Sequence, residues 1–275
     1  MSPSPAETWD RWAETVRRPE ADVPLGEAAL LISAAANPDL DVEAELSRLD
    51  ELALGVVRTD AGAGPEAGAD AVCDLLFGRF GLRGDDRTYD HPDNSYLDRV
   101  LERRRGIPIT LSVLLIEVAG RCGVPLEGVG MPGHFLVRDP SRPTSLIDPF
   151  GGGRRLGMAE CERIMQMATG SPTPLAPEML ERTGTHAILA RMLLNLDRSF
   201  ERRGDRRSLR WVSELRLRLP GTPAGDRVQL ASRLSVLGRF DAAAEVLEVT
   251  ARTVTPGPAR DRLSREAVTL RARLN

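Results

Sequence analysis

One histidine and one aspartate have the residue types and the spacing that proton transfer requires. His134 stands at the head of a strand-like run, and Asp148 ends the next such run, 14 residues later. On neighbouring antiparallel strands a carboxylate can bond one imidazole nitrogen and fix its tautomer, which leaves the other nitrogen as a base. The same spacing is also typical of a buried histidine that is satisfied by hydrogen bonds and an aspartate in a turn before Pro149.

The elements that must position this pair are a helix and a short antiparallel meander. We expect the helix to begin at Pro108, because proline is favoured in a first turn, where its missing N–H would have no partner. Few polar residues interrupt 109–121, which indicates a helix buried nearly all round. One buried helix followed by an antiparallel meander is an α+β arrangement. The predicted strands are 126–130, 134–138 and 145–148.

Helical periodicity flanks this core on both sides. Apolar residues at spacings of three and four predict helices through most of the first 90 residues and again from residue 158 onwards. Gly204 and Gly238 lie 34 residues apart, which is the period of tetratricopeptide repeats; a generic helical bundle is the alternative. We therefore divide the chain into a helical N-terminal region, a core and a helical, tetratricopeptide-like region, at 1–84, 85–157 and 158–275.

Composition argues against several classes of partner. The formal net charge of −3 gives no global basic field, so neither a nucleic acid nor a membrane is an expected partner. The sequence has no signal-like N-terminus and no run of roughly 18 apolar residues, so we expect a cytoplasmic protein. Cys73, Cys122 and Cys161 are too widely spaced for a disulfide framework or a zinc motif. His134 and Asp148 offer only two metal ligands, so we predict no metal and no cofactor.

Four segments together resemble the transglutaminase-like family of the bacterial SirB group. The resemblance is dense over residues 85–157, and LLNL at 193–196 is similar to that family's C-terminal region. A related segment occurs in an F-box protein of animals. The resemblance implies a papain/transglutaminase-like core, in which a buried helix packs on a short antiparallel sheet. The four segments are NSYL at 94–97, RRGIPITLS at 104–112, PGHFLV at 132–137 and IDPF at 147–150.

The resemblance also implies a catalytic cysteine at the start of the buried helix, with a histidine and an aspartate on the strands that follow. His134 and Asp148 match the last two positions. The cysteine's place falls at or beside Pro108, which has no nucleophile. Cys122 lies about 14 residues further along the same helix, roughly 20 Å away. It stands near the helix C-terminus, where the dipole disfavours a thiolate, so we interpret it as structural.

The first functional hypothesis is a catalytically silent, transglutaminase-like protein that binds a peptide or protein segment. Its cleft would lie beside His134 and Asp148. The absent thiol favours this hypothesis, because the remaining pair has no covalent step to serve. The residues expected to line the cleft are Asn94, Pro108, Thr110 and Pro132.

The second hypothesis is an enzyme of acyl transfer or amide hydrolysis. His134 would act as the base and Asp148 would orient it, with Thr110, Ser112 or a water as the nucleophile. Hydroxyls in a first or second helical turn more often bond to a backbone carbonyl one turn earlier or cap the helix. Whether the His134 ring opens to solvent or is sealed in the core distinguishes a working pair from a purely structural one.

Overall fold

A computed structural model describes residues 5–57 and 65–273 of the chain. Its helices are α1 (Pro5–Val16), α2 (Leu25–Ala36), α3 (Val42–Val57), α4 (Pro65–Cys73), α5 (Leu97–Arg103), α6 (Pro108–Arg121), α7 (Met158–Thr169), α8 (Thr185–Arg203), α9 (Arg206–Arg218), α10 (Ala224–Val236), α11 (Phe240–Thr253) and α12 (Pro258–Ala272). Its strands are β1 (Arg83–Gly84), β2 (Arg105–Gly106), β3 (Glu127–Val129), β4 (Leu136–Arg138), β5 (Leu146–Asp148) and β6 (Arg154–Leu156).

The chain forms two compact units, Met1–Asn195 and Leu196–Asn275. The first unit contains the sheets, α1 to α7 and the first part of α8. The second contains the end of α8 and the helices α9 to α12. In the part of the chain that the structure describes, no helix is both long and apolar enough to cross a membrane.

The larger sheet of the first unit is antiparallel, with the strand order β3-β4-β5-β6. One set of its side chains, Leu136, Leu146 and Leu156, packs with Cys161 and Met165 of α7. The helix α6 packs against β3 and β4. This combination of helices with small sheets agrees with the α+β class that the sequence predicts.

The fourth strand, β6, is absent from the sequence-based prediction, which ends the meander at residue 148. Arg154 and Arg155 provide no apolar alternation, so the local pattern does not indicate a strand. The strand forms because Gly152 and Gly153 adopt φ values of 82° and 79°, which reverse the chain and return it alongside β5. Three consecutive glycines are therefore a tight turn beside Asp148.

The central helix begins at Pro108, as the sequence predicts. Thr110 supplies the first-turn cap: its Oγ1 accepts the Ile107 N–H at 3.2 Å. All but a few residues of α6 are buried, which agrees with the nearly unbroken apolar pattern of its sequence. The buried start of α6 therefore lies inside the first unit.

The second unit is a series of helices that pack in chain order, α9 on α10, α10 on α11 and α11 on α12. Gly204 and Gly238 end helices with φ values of 64° and 80°, a conformation that favours glycine at a helix C-terminus. A tetratricopeptide-like arrangement of these helices stays a prediction. Small residues allow close packing in the core of this unit, which includes Ala231, Ala243, Ala244, Leu247 and Ala267.

Candidate functional site

His134 is the last residue of a tight turn that connects β3 to β4. Pro132 and Gly133 occupy the middle positions, and Gly133 has a φ of 74°. The His134 N–H donates to the Met131 carbonyl at 3.1 Å, which closes the turn. Proline followed by a residue with positive φ is the signature of a type II turn. The imidazole therefore projects from a rigid turn. The strand β4 begins two residues later, at Leu136, whereas the sequence pattern predicts its start at residue 134.

The register of the sheet brings Asp148 to this turn. Because Val137 pairs with Ile147, the end of β5 lies level with the start of β4. His134 Nε2 lies 2.9 Å from Asp148 Oδ1. The His134 side chain is 11% exposed and that of Asp148 is 4% exposed. The two predicted residues thus meet, and a small part of the ring remains open to solvent.

The surroundings of Asp148 keep it ionised. Burial raises the pKa of its carboxyl, but the hydrogen bond and charge of His134, the Gly151 N–H and the charge of Arg154 outweigh burial and hold it below the usual value. Arg154 Nε lies 3.6 Å from Asp148 Oδ2. Because an ionised carboxylate only accepts hydrogen bonds, Nε2 of His134 carries the proton and donates it. Nδ1 is then the ring nitrogen that Asp148 does not bind.

Aromatic rings connect the pair to β1. The Phe150 ring lies edge to face with His134, with 6.1 Å between ring centroids, and Tyr89 packs edge to face on Phe150 at 6.0 Å. A Cβ at Gly84 would lie 2.6 Å from the Phe150 ring, so only glycine allows this approach. Gly84 pairs with Gly106, two residues before Pro108. The Phe150 ring therefore contacts both the imidazole and β1, whose partner strand β2 ends two residues before α6 begins.

The two hydroxyl groups in the first two turns of α6, those of Thr110 and Ser112, are bonded within the protein. Thr110 is fully buried, and its Oγ1 lies 2.7 Å from the Asn94 carbonyl, to which it donates. Ser112 is also fully buried, and its Oγ donates to the Pro108 carbonyl at 2.8 Å. Hydroxyls held in this way cap and close the helix, and neither bonds to His134.

Replacing Thr110 by valine should lower the free energy of unfolding by about 1–3 kcal/mol, because a buried acceptor and a buried donor lose their partner. Urea denaturation followed by circular dichroism measures this change. Ser112→Ala is the matched control and should cost less than about 1 kcal/mol, since its hydroxyl only supplements a helical carbonyl. Equal losses for the two variants would contradict this assignment.

The loop before α5 is fixed by a buried polar network. Asn94 is fully buried, its Nδ2 donates to the Thr88 carbonyl at 2.6 Å and its Oδ1 accepts from Arg103 at 2.9 Å. Asp85 accepts the Thr88 N–H at 2.9 Å and its hydroxyl at 2.6 Å. Asn94 thus stabilises the loop that carries Tyr89. Pro132, half-buried, lies in the His134 turn; a cleft-lining role for these residues stays a prediction.

Replacing Asp85 by asparagine should destabilise the protein most at neutral pH. Burial opposes ionisation of Asp85, but the hydrogen bonds from Thr88 and the charge of Arg103 lower its pKa to about 2. A carboxyl whose pKa falls on folding adds stability above its unfolded pKa of roughly 4, and that stability is lost as the pH falls through the folded value. We expect a loss on the order of 2 kcal/mol at pH 7 that shrinks below pH of about 4.

Urea denaturation at pH 7 and pH 3 measures this difference. Asp86→Asn, at the exposed neighbouring position, is the control and should match the parent protein at both values. A loss of stability that stays constant with pH would show that the Asp85 charge contributes nothing.

The three thiols are unsuited to nucleophilic attack. Burial raises the pKa of Cys73 to about 12, with the charge of Asp70 adding to it. Burial also raises the pKa values of Cys122 and Cys161. Cys122 directs its thiol to the Ala53 carbonyl at 3.6 Å. A thiol acts as a nucleophile only as the thiolate, so these cysteines are structural at neutral pH.

Ellman's reagent should label the folded protein unevenly at pH 8. We expect half-buried Cys122 to react first, and Cys73 and Cys161 to react only after guanidinium unfolds the chain. Peptide mass spectrometry assigns each labelled position. Labelling of native Cys73 as fast as in the unfolded protein would refute its burial.

Sequence reasoning alone missed several residues of the site. Phe150 and Tyr89 are single aromatic residues with no periodic signal. Arg191 donates to the backbone of the His134 turn from α8, 57 residues away, so no local pattern marks it. Within residues 5–57 and 65–273, no cluster of three or more histidine, cysteine or acidic side chains has a geometry that would hold a metal.

Known proteins resemble a large part of this chain. A family model described as the transglutaminase-like superfamily matches residues 43–194. The UPF0162 protein of Xylella fastidiosa strain 9a5c is 36% identical over 200 residues, which covers 67% of this chain and 68% of the relative. The UPF0162 protein of Pseudomonas aeruginosa is 34% identical over 175 residues, or 62% of this chain and 63% of the relative.

A shorter match extends to animals. Mouse F-box only protein 21 is 38% identical over 105 residues, which covers 35% of this chain and 17% of the mouse protein. No solved structure matches the chain. The family model covers more than half of the sequence, including the His134 turn, the strand that carries Asp148 and the helix that begins at Pro108. The chain therefore belongs to the transglutaminase-like superfamily.

Proposed function

We propose that this protein is a catalytically silent transglutaminase-like protein that binds a peptide or protein segment beside His134. The observation that carries the proposal is Pro108, which begins α6 at the place where the resemblance puts a cysteine. In the described first two turns of α6, the side chains offer the His134–Asp148 pair no thiol and no unbonded hydroxyl to activate for a covalent acyl intermediate.

The environment of the pair supports binding. Tyr89 is 42% exposed, and the Phe150 ring that it contacts is half-buried. Arg154 is 54% exposed and lies near Oδ2 of Asp148, the carboxylate oxygen that His134 does not bind. Tyrosine, phenylalanine and arginine are enriched where proteins contact other proteins. These side chains would contact the bound segment, and Nδ1 of His134 would hydrogen-bond it.

A phage-displayed library of random 12-residue peptides tests the binding. We expect peptides selected on the parent protein to bind Tyr89→Ala and His134→Ala at least about tenfold more weakly, since a contact residue typically contributes more than 1 kcal/mol. Arg198→Met, at an exposed position in the second unit, is the control and should leave binding unchanged. Selected peptides that bind all variants equally would refute this location of the site.

A second candidate is amide hydrolysis with a water as nucleophile. The arrangement of the pair favours it, because Nε2 is held by Asp148 while Nδ1 remains to accept a proton from water. Ammonia release from a glutamine-containing peptide tests it. The proposal of catalytic silence predicts equal background rates for the parent protein and His134→Ala, and a His134-dependent rate would replace that proposal with this one.

Finer assignments are also proposals. We place the chain in the SirB group on the motifs at 94–97, 104–112 and 132–137. The 34-residue spacing of Gly204 and Gly238, each at a helix end, supports a tetratricopeptide-like second unit that adds a recognition surface. A cytoplasmic location and the absence of nucleic-acid partners stay predictions from composition.

A further inference from the structure

The turn that carries His134 has two backbone carbonyls that no strand partner uses. His134 lies before β4 begins, so its carbonyl is outside the ladder. Arg191 of α8 donates to that carbonyl through Nη2 at 2.7 Å. Both terminal nitrogens of the same guanidinium lie 3.3 Å from the Met131 carbonyl. One side chain thus binds the first and the last residue of the turn.

Packing holds the guanidinium and the turn in place. The Arg191 guanidinium lies over the Phe135 ring, 5.3 Å from its centroid. A Cβ at Gly133 would also lie only 2.6 Å from the Cβ of Ala168, so α7 packs closely on the turn. Both α7 and Arg191 therefore contact the turn and restrict its movement.

We propose that Arg191 is a positioning residue, which fixes the His134 turn so that Nε2 meets Asp148 and Nδ1 faces the site. This inference deepens the proposed function. It rests on that proposal only for the statement that the site binds a peptide or protein segment. A planar guanidinium can bond two carbonyls at once, whereas the ammonium of lysine is a point donor. Loss of Arg191 frees the His134 carbonyl and leaves the Met131 carbonyl with the His134 N–H alone, which lets the turn open while the rest of the sheet stays paired.

The exchange of the Nε2 proton of His134 with solvent reports this directly. Nitrogen-resolved NMR of the imidazole groups detects that proton, and His91→Asn and His186→Asn variants assign the His134 signal. We expect Arg191→Met to accelerate its exchange at least about tenfold, because local opening exposes a hydrogen-bonded proton. Arg191→Lys should recover part of the protection, and Arg198→Met, exposed on the same helix, should leave it unchanged.

The backbone amide of Leu114, fully buried in α6, is the internal reference for global unfolding. The inference predicts accelerated exchange at His134 with unchanged exchange at Leu114. Equal acceleration of exchange at both sites would show that Arg191 only stabilises the fold as a whole. No acceleration at His134 would show that the turn keeps its conformation without Arg191. Either result overturns the inference. No ligand is needed, so a failure of peptide binding leaves this test intact and is recognised separately.

Discussion

Replacing Pro108 by cysteine should create a thiol that iodoacetamide alkylates at pH 7 at least about tenfold faster than Cys73 or Cys161. Pro108 is buried, as are Cys73 and Cys161, so a faster rate at this first position of α6 would report the positive end of the helix dipole, which favours a thiolate there. The resemblance puts the imidazole of His134 beside this position, where it would stabilise the thiolate further. Loss of proline is tolerable there, since the restored N–H is one that a first turn leaves without an intrahelical partner.

Peptide mass spectrometry over a time course measures the alkylation rate at each position, so the native cysteines are references within one sample. The double variant Pro108→Cys, His134→Ala is the control and should react several times more slowly. Circular dichroism establishes that both variants fold, and Ile109→Cys tests the adjacent position. An alkylation rate at position 108 that is the same in the single and the double variant would contradict the expected placement of this helix start beside the pair.

Replacing Asp148 by alanine should lower the free energy of unfolding by about 3 kcal/mol at pH 7. His134 Nε2–H and the Gly151 N–H lose their acceptor, and Arg154 loses its counter-charge. Leaving buried donors unpaired costs about 1–3 kcal/mol each. For a chain of this size the melting temperature should fall roughly 6–12 °C, which differential scanning calorimetry measures.

The sign of the pH dependence follows from the lowered pKa of Asp148. Its contribution is present above the unfolded pKa of roughly 4 and is lost as the pH falls through the folded value. The parent protein and Asp148→Ala should therefore converge in acid. Asp148→Asn, which still offers an oxygen to Nε2, should lose less than the alanine variant. An alanine variant within about 0.5 kcal/mol of the parent at pH 7 would show that the pair stabilises nothing.

Strong local signals were sufficient for much of the fold. Pro108 marks a helix start because proline suits a first turn, and the apolar run after it reports a helix that is buried on nearly every side. His134 and Asp148 were predictable partners because antiparallel neighbours place the end of one strand beside the start of the strand before it. The superfamily assignment follows from the same segments, which are closely spaced along the chain.

Features that depend on tertiary contacts were not predictable. The strand β6 consists of two arginines and one leucine, and it exists because a glycine turn returns it to β5. Thr110 and Ser112 looked equally available in the sequence, and only the structure shows which carbonyls their hydroxyls bind. Arg191 acts on the His134 turn from a helix that no pattern connects to it.

The proposal that His134 has no side-chain nucleophile is tested most directly by incubation with an activated ester, p-nitrophenyl acetate, followed by peptide mass spectrometry. The sequence contains no lysine, so acylation of side-chain amines does not obscure the result. The account predicts no acetyl group on any residue of α6, on Cys73 or on Cys161, and an equal extent of any labelling at half-buried Cys122 in the parent protein and in His134→Ala. An acetyl group on Thr110, Ser112 or a cysteine that disappears in His134→Ala would contradict it.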